Sequence, residues 1–498
     1  MKGFVFLTGS EFLLRFIQTD AFKALEEEHD ITYVALASSV VMKDGGVENS
    51  LVTTLKNVEW IPFYPNRFEK WVELFDVSCI RYQERSSSFQ MRCQGHLPSR
   101  LEYLTRLAQP EVYGKHRNTV EKDMGPNPDI LKLTLSHRPD FFVLPSALLD
   151  YITDDVLQLA KALSIPTLML VAGWDNLSSK GLIYHQPSMM GVWGEQSRKH
   201  AIDIQGAKAE SVYVVGAPHY ENFQNNSLAD RGMLRRQFDV PTEKTLVLFA
   251  GTFRSFDETE LLKQVDAAID QDRLPDIHII YRPHPWRATR QEEDNFFDYT
   301  WNHVTMDSEM ADVYQAVKKG TTGASPDNFL FRLDHLAQLY QSVDAVISPM
   351  STVMLEALLF DLPTMAVAFG DGKHSRSVDQ ISRMTHFKEF LEIPDLVVCR
   401  EKASFFKDFN SLLAYASGQT KRNFGQDVQY FVYRDDKCYA DRVLDLVNLM
   451  LKTNSLKIPY GTVNVKPGKT FEPNMMQKIF VKCKKIVWKF LKTLKKFS

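Results

Sequence analysis

The strongest constraint on the fold is a repeated alternation of short apolar runs with longer amphipathic stretches. Seven such runs stand between residues 3 and 216, from GFVFLTG at 3–9 to SVYVVG at 211–216, and five more stand between 245 and 400. Strands that alternate with helical patterns are typical of βαβ units and a parallel sheet. Because the alternation stops and restarts once, the sequence predicts an α/β protein with two doubly wound Rossmann-like domains that face each other across a cleft.

The domain bounds follow from where the alternation breaks. The polar stretch Glu221–Lys244 has the charge and turn content of a linker with one short helix. We therefore predict a first domain at 1–225, with a polar, helix-leaning insertion at about 81–128, and a second domain at 240–452. A length of 498 residues with 44% hydrophobic residues is also too much for one ordinary core.

Charge and cysteine content exclude several classes of protein. The net charge of -3 argues against a nucleic-acid partner, since such domains carry a marked basic excess. Five cysteines stand at 79, 93, 399, 438 and 483, without a C-x-x-C pair or a histidine at zinc spacing, so we expect thiols of a reducing compartment.

No apolar run approaches about 18 residues, and the N-terminus does not resemble a signal peptide, so a cytoplasmic location is predicted.

Two segments of the second half place charged and polar side chains just after predicted strands. In HIIYRPHPW, Arg282 and His284 follow a strand and could point at an anion, or simply face water. In SPMSTVMLEALLFDLPTM, Ser351 and Thr352 stand at a helix start and Glu356 lies one turn further. These three residues fit a capping box, but a helix N-terminus also binds phosphate, and the glutamate could accept hydrogen bonds from ribose hydroxyls.

The order of GTFRS (251–255), RPHP (282–285) and SPMSTVMLEALLFDLPTM (348–365) resembles the nucleotide-binding half of GT-B glycosyltransferases. It resembles in particular bacterial surface-polysaccharide enzymes and the related CDP-glycerol glycerophosphotransferases. It also resembles the non-hydrolysing UDP-N-acetylglucosamine 2-epimerases, which share the architecture. The segment VYVVGAPHYENF (212–223) matches the element that closes the first domain in those families. The resemblance implies an acceptor-binding first domain and a second domain that binds a nucleotide-sugar donor.

The resemblance also implies which residues bind that donor. Arg282 and His284 would lie near the donor phosphates. Ser351 and Thr352 would bind the pyrophosphate, and Glu356 the ribose. The full predicted donor site is Thr252, Arg254, Arg282, His284, Ser351, Thr352 and Glu356. Glycerophosphotransferases usually carry a His-Gly-Thr loop where this chain has GWDNLSSKG, a departure that favours a sugar nucleotide over transfer of a glycerol phosphate.

The loop GWDNLSSKG (173–181) follows a first-domain strand, so it should face the cleft opposite the donor. An inverting transferase needs a base near the acceptor hydroxyl, and Asp175 is the leading candidate. The alternative is that Asp175 merely caps a helix. Glu11, after the first strand, is the second candidate base. Possible further cleft residues are Trp174, Asn176, Lys180 and His219.

No metal or cofactor is predicted, and the nucleotide sugar is a substrate. Many transferases hold a divalent ion on an Asp-x-Asp pair after a strand, whereas the nearest match, DQD at 270–272, precedes one. We expect the charge of the leaving group to be offset by Arg282 and a helix N-terminus. The motifs G-x-x-x-x-G-K-[ST] and G-x-G-x-x-G do not stand after a strand, which argues against an ATPase or a dinucleotide dehydrogenase.

The C-terminal tail, 475–498, departs from the balanced charge of the rest. From 477 it reads QKIFVKCKKIVWKFLKTLKKFS, with eight lysines, no acid and apolar residues near helical spacing. A terminal helix packed on the protein is the simpler alternative. We predict a basic amphipathic helix that binds the anionic inner face of the membrane, where a lipid-linked or surface-polysaccharide acceptor would lie.

The sequence thus favours a metal-independent glycosyltransferase that uses a nucleotide-sugar donor and a glycan or lipid-linked acceptor. Three alternatives remain: a UDP-sugar 2-epimerase, a glycerol- or ribitol-phosphate transferase of the CDP-glycerol type, and a non-catalytic nucleotide-sugar-binding protein. The epimerase alternative leaves the tail and the insertion unexplained.

Overall fold

The computed structural model of the protein describes most of the chain. The described residues are 1–8, 13–37, 54–96, 101–146, 151–225, 231–238, 240–241, 243–253, 255–293, 296–319, 333–374, 377–418, 423–454 and 467–468. Two predicted site residues, Glu11 and Arg254, lie outside these ranges, as does the predicted amphipathic tail at 475–498.

The first sheet has seven parallel strands in the order β3-β2-β1-β4-β5-β6-β7. Its strands are β1 Lys2–Leu7, β2 Asp30–Ala37, β3 Val58–Pro62, β4 Phe141–Pro145, β5 Thr167–Leu170, β6 Met189–Val192 and β7 Val212–Val214. Runs such as FFVLP at β4 are buried along their whole length, because helices cover both faces of a parallel sheet.

The second sheet has six parallel strands in the order β10-β9-β8-β11-β12-β13. Its strands are β8 Thr245–Ala250, β9 Ile277–Arg282, β10 Val304–Met306, β11 Ala345–Ser348, β12 Thr364–Val367 and β13 Val397–Cys399. In the register of β8 and β9, Phe249 stands opposite Tyr281. The predicted strands are all present, whereas the short edge strand β10 was not predicted.

Helices cover both sheets. The α-helices are α1 Lys23–Glu28, α2 Pro65–Arg81, α3 Ser87–His96, α4 Leu101–Leu107, α5 Pro110–Met124, α6 Pro128–His137, α7 Ile152–Leu163, α8 Asn176–Ser179, α9 Glu195–Asp203, α10 Pro218–Asn225, α11 Arg231–Gln237, α12 Glu258–Asp270, α13 Ser308–Lys318, α14 Leu333–Ser342, α15 Val353–Leu359, α16 Val378–Ile381, α17 Thr385–Phe390, α18 Phe405–Ser417, α19 Gly425–Gln429 and α20 Tyr439–Thr453. Single turns of 3₁₀ or π helix occupy Leu13–Ile17, Gln83–Arg85, Ala209–Ser211, Phe296–Asp298 and Lys402–Ser404, and a longer 3₁₀ segment spans Pro285–Glu293.

These elements confirm the predicted α/β class with two Rossmann-like sheets. The predicted insertion is helical where it is described, from the end of α2 through α5. The domain bounds stay a prediction. Around the predicted linker, α10 ends at Asn225 and α11 spans Arg231–Gln237. None of the helices in the described part of the chain combines the length and apolarity that a bilayer crossing requires.

The last described helix, α20, follows the strands of the second sheet in sequence but packs against the first sheet. Its apolar side chains, including Val443 and Leu446, share a buried cluster with Leu168 and Leu170 of β5. Within the described residues, the chain therefore passes between the sheets twice, once after β7 and once before α20. The crossings touch: Gly216 has a φ of 80°, and a Cβ there would lie 2.4 Å from the Tyr433 carbonyl oxygen. Only glycine fits such a position.

Candidate functional site

The strand order of the second sheet reverses between β8 and β11, and this point defines the crevice in which ligands of doubly wound sheets bind. Thr252 follows β8, and Ser351 and Thr352 follow β11, so these predicted residues flank the crevice. His284 follows β9, the next strand along. The fold thus places these predicted donor-site residues at one edge of one sheet.

The Glu356 carboxylate lies at this crevice, one turn into α15. The Tyr340 hydroxyl donates to one of its oxygens at 2.6 Å, and the Tyr220 hydroxyl donates to the other at 3.5 Å. Burial raises the pKa of Glu356 above its usual value. The hydrogen bond from Tyr340 and the positive charges of Arg15 and Arg282 act in the opposite direction but do not outweigh the burial. Tyr220 and Arg15 belong to the first half of the chain, so both halves contribute to the surroundings of this carboxylate.

Arg282 is buried at the end of β9 and bound by acidic groups. It forms an ion pair with Asp307, and its Nη1 lies 3.3 Å from Glu309 Oε2. His335 Nε2 is 2.7 Å from the other Asp307 oxygen. Burial alone raises the pKa of Asp307, but Arg282 and His335 lower it below its usual value. The arginine therefore neither faces water nor stands alone: two carboxylates fix its position.

Asp307, Glu309 and His335 are also the residues that could hold a metal ion, since their ligand atoms lie within 4.8 Å of one another. However, the Arg282 guanidinium already contacts both carboxylates and supplies positive charge there. A divalent cation would have to share this small buried space with a cation that cannot lose its proton. The cluster fits an arginine better than a metal.

The remaining predicted donor residues have the following contacts. The Thr252 amide donates to Glu258 Oε1 at 2.7 Å, which fixes the turn after β8. The His284 ring packs edge-on against Phe253, an exposed side chain, with ring centroids 5.4 Å apart. Ser351 Oγ is 2.7 Å from Ser348 Oγ, and Thr352, at the start of α15, makes no side-chain cap hydrogen bond. The side chains therefore do not act as a capping box.

The loop 173–181 follows β5 of the first sheet and packs against α17, a helix of the second domain. Trp174 is buried, and its indole nitrogen donates to Gln196 at 2.6 Å. Its ring packs against His386, Phe387 and Phe390 of α17 at 5.2 to 5.3 Å. Asn176 is also buried, with its amide 2.7 Å from the Ser146 hydroxyl. Both side chains thus make structural contacts.

Asp175 lies half-buried in the same loop, just before α8. It makes no cap hydrogen bond to that helix, which removes the evidence for the capping role. Ser179 Oγ donates to its carboxylate at 2.6 Å, and Lys180 Nζ lies 3.3 Å away. Burial raises the pKa of Asp175, but Lys180 and His386 outweigh it and hold the pKa well below the usual range. The carboxylate is therefore ionised and only weakly basic.

His219, at the start of α10, is 2% exposed and packs between Trp193 and Tyr220, with ring centroids at 5.1 and 3.9 Å. Burial and the charge of Arg15 lower its pKa well below the usual value, so its ring is neutral. Arg15 donates to the Ala172 carbonyl at 2.6 Å and lies over the Trp193 ring.

The residues that sequence reasoning missed are Arg15, Tyr220, Tyr340 and Asp307. Tyr220 stands inside VYVVGAPHYENF (212–223), the segment that the resemblance had already identified, so it is the one residue of these four to which a sequence motif pointed. The others carry no local pattern, because each becomes part of the site only through packing between distant elements.

Comparisons with known proteins identify a family and a fold. The sequence model of the CDP-glycerol:poly(glycerophosphate) glycerophosphotransferase family matches residues 195–449, just over half of the chain. No curated protein sequence matches the chain.

Solved structures show the same architecture at low identity. The UDP complex of MnaA from S. aureus is 12% identical, with a TM-score of 0.52 over 92% of this chain and 98% of that one. A putative UDP-N-acetylglucosamine 2-epimerase from Listeria monocytogenes is 9% identical, with a TM-score of 0.51 over 91% and 97%. The UDP-GlcNAc 2-epimerase from Methanocaldococcus jannaschii is 14% identical, with a TM-score of 0.50 over 90% and 100%.

The structural similarity over most of both chains establishes the fold, and the family match establishes the family. The predicted resemblance to GT-B transferases, CDP-glycerol glycerophosphotransferases and 2-epimerases is confirmed. The protein is an enzyme with the GT-B fold, and the chain belongs to the CDP-glycerol:poly(glycerophosphate) glycerophosphotransferase family.

Proposed function

We propose that the enzyme transfers a sugar from a nucleotide-sugar donor, bound at the crevice between β8 and β11, to a lipid-linked or surface-polysaccharide acceptor. The observation that carries this proposal is the carboxylate of Glu356, which lies beside the crevice under the charges of Arg15 and Arg282. A carboxylate accepts hydrogen bonds from ribose hydroxyls, whereas guanidinium groups attract phosphates. The combination suits a nucleoside diphosphate.

The nature of the neighbouring proteins supports a nucleotide at this place. One structure with the same fold is described as a complex with UDP, and two others are described as UDP-GlcNAc 2-epimerases. We further propose that transfer requires no metal, because the cluster of Asp307, Glu309 and His335 already holds Arg282. The positive charge that a leaving diphosphate requires would come from Arg15, because Arg282 is already paired with Asp307 and Glu309.

In the proposed reaction the acceptor hydroxyl attacks the anomeric carbon of the donor sugar, the bond to the diphosphate breaks, and a base takes the hydroxyl proton. Asp175 and Glu11 remain the candidate bases. The ion pair of Asp175 with Lys180 makes it a weak base, so removing its basicity is the direct way to choose between them.

A second candidate function is transfer of glycerol phosphate from CDP-glycerol, and the family match over residues 195–449 favours it. In that reaction the acceptor hydroxyl attacks the phosphorus next to the glycerol, and CMP leaves. The two reactions use the same crevice but break different bonds. They therefore release different nucleotides: a diphosphate in sugar transfer and a monophosphate in glycerol phosphate transfer.

The nucleotide released is therefore the decisive measurement. The full chain is incubated with UDP-GlcNAc or CDP-glycerol, with and without poly(glycerophosphate) or a lipid-linked glycan, and the nucleotides are separated by chromatography. Acceptor-dependent UDP supports sugar transfer, and acceptor-dependent CMP supports the second candidate. Conversion of UDP-GlcNAc to its epimer without any acceptor would instead identify an epimerase. Activity that survives EDTA supports the metal-independent reaction, and loss restored by a divalent cation overturns it.

The membrane location remains a proposal as well. It depends on the basic tail at 475–498, which lies outside the described residues, and on its pattern of lysines and apolar residues. A tail of this kind would keep the enzyme close to a lipid-linked acceptor at the inner face of the membrane.

A further inference from the structure

The His219 side chain is buried, with only 2% of the residue exposed. Among the described residues, neither of its ring nitrogens has a hydrogen-bond partner. Its other contacts are aromatic, with Trp193 on one side and Tyr220 on the other. A phenylalanine would make the same contacts without burying two polar atoms. The packing alone therefore does not explain a histidine here.

The neighbours of His219 point to the donor site. The adjacent residue, Tyr220, donates its hydroxyl toward Glu356, the predicted ribose ligand, at 3.5 Å. The Arg15 guanidinium lies over the same Trp193 ring that His219 contacts, 5.6 Å from its centroid. Arg15 is also close enough to act electrostatically on both His219 and Glu356. His219 thus packs against first-domain residues that lie beside Glu356.

We propose that His219 is a substrate-binding residue whose two ring nitrogens hydrogen-bond hydroxyl groups of the nucleotide donor held beside Glu356. The inference rests on the proposed function, because it requires a donor at that carboxylate. It adds a specific contact from the first domain, and it names hydroxyl groups, rather than phosphate oxygens, as the groups recognised.

The chemistry of the ring favours hydroxyl groups. The charge of Arg15 and the burial keep the imidazole neutral, so one nitrogen donates a hydrogen bond and the other accepts one. Phosphate oxygens only accept, and could satisfy a single nitrogen. A hydroxyl both donates and accepts, so two hydroxyls of one polyol can satisfy both nitrogens. Such hydroxyls occur on the ribose and on the transferred sugar or glycerol.

The test is the affinity of the variant His219→Phe for four ligands, measured by calorimetry: UDP, CDP, UDP-GlcNAc and CDP-glycerol. The phenyl ring keeps the packing on Trp193 and Tyr220 but forms no hydrogen bonds. We expect about tenfold weaker binding of the donor that the wild type prefers. An equal loss for the free nucleoside diphosphate assigns the contact to the ribose, whereas a loss only for the intact donor assigns it to the transferred group.

Two further variants make the result specific. His219→Gln keeps one donor and one acceptor, and should recover part of the lost affinity. His200→Phe is the matched control, since His200 is also buried and its Nδ1 also has no partner among the described residues, but it lies on α9. Its donor affinity should stay unchanged.

Three outcomes overturn the proposal. If folded His219→Phe binds every ligand as tightly as the wild type, His219 is only a buried structural residue. If His219→Phe does not fold and His219→Gln binds normally, the same conclusion follows. If wild-type protein binds none of the four ligands, the proposed function fails first and this inference with it, a result that the wild-type titration alone reveals.

Discussion

The indole ring of Trp174 packs edge-on against the ring of Phe387, with centroids 5.2 Å apart and planes at 83°. The first residue follows a strand of the first sheet, and the second belongs to α17 beside the second sheet. Around this pair, Ser178 bonds to His386 at 3.2 Å and Gln196 donates to the His386 carbonyl at 3.0 Å. The polar loop that follows β5 is therefore a docking segment that joins the two halves.

Replacing Trp174 by alanine should destabilise the protein by about 3–5 kcal/mol. The change leaves a large cavity between the sheets and removes the hydrogen bond that Gln196 Oε1 accepts from the indole. The free energy of unfolding in urea measures this loss. Trp60→Ala is the matched control, since Trp60 is 41% exposed on β3 and its removal should change stability little. Similar values for both variants would show that the Trp174 contact contributes little to stability.

Glu356→Gln should weaken binding of the nucleoside diphosphate while the fold stays intact. Glutamine can still accept the hydrogen bond from Tyr340, whereas alanine would leave that buried hydroxyl unpaired. Loss of the charged acceptor should cost about 1.5–3 kcal/mol of binding free energy, measured by calorimetry. The control is Glu260→Gln, an exposed residue of α12. Unchanged affinity in a well-folded Glu356→Gln protein would remove Glu356 from the donor site.

Asp175→Asn separates the catalytic role from a structural role. The amide can still accept the bond from Ser179 but cannot take a proton. If Asp175 is the base, turnover should fall by about 10²–10⁴ while donor affinity holds. Ser179→Ala is a useful companion, since it removes a partner of Asp175 and leaves the carboxylate in place. Near-normal turnover in Asp175→Asn would transfer the role of base to Glu11.

Acid should weaken the contact between the two halves through His386. Burial lowers the pKa of His386 to about 4, with His200 and Lys180 acting in the same direction and Asp175 against it. The unfolded histidine has a pKa near 6.5, so between pH 6.5 and 4 the unfolded chain binds the proton and the folded protein does not. Stability is therefore complete above pH 6.5 and falls as the pH drops toward 4.

The size of this effect should be on the order of 1–3 kcal/mol. Unfolding free energies of the wild type and of His386→Gln at pH 7, 5.5 and 4.5 provide the measurement. His200, whose pKa burial also lowers to about 4, contributes in both proteins, so the difference between them isolates His386. Parallel pH profiles for the two proteins would contradict the prediction.

Removing residues 475–498 should release the protein from anionic vesicles without changing donor affinity. Serine at Ile479, Ile486 and Phe490 should do the same with every lysine kept, because stable interfacial binding requires both apolar burial and charge. High salt should weaken the wild-type association, since the Debye length is about 8 Å near physiological ionic strength. Vesicle sedimentation is the assay. Equal pelleting with and without the tail, or a sharp loss of melting temperature on truncation, would indicate that the tail belongs to the fold.

Sequence patterns predict the strands well because apolar runs such as TLVLFA at β8 must be buried on both faces of a sheet. They fail for β10, where Val304–Met306 offers only three residues after a polar Asn-His pair. They also cannot say where α20 packs. Its apolar stripe predicts an amphipathic helix, but not that Val443 and Leu446 lie against the first sheet.

For the site, the sequence identifies residues whose position follows directly from a strand end. Ser351, Thr352 and Glu356 are in this group, because β11 and α15 position them locally. Arg15 is not, since its approach to Glu356 joins parts of the chain that lie more than 300 residues apart. The same reason hides the binding of Arg282 by Asp307, which depends on the unpredicted strand β10.

The contact between Gly216 and Tyr433 limits how the cleft can open. Two chain segments cross between the sheets at this place, and Arg442 of α20 ties them together by donating to the Val215 carbonyl at 2.9 Å. Two adjacent connections restrict the relative motion of the sheets more than a single connection would. A bulky side chain at Gly216 would clash with the Tyr433 carbonyl oxygen and force the two connecting segments apart.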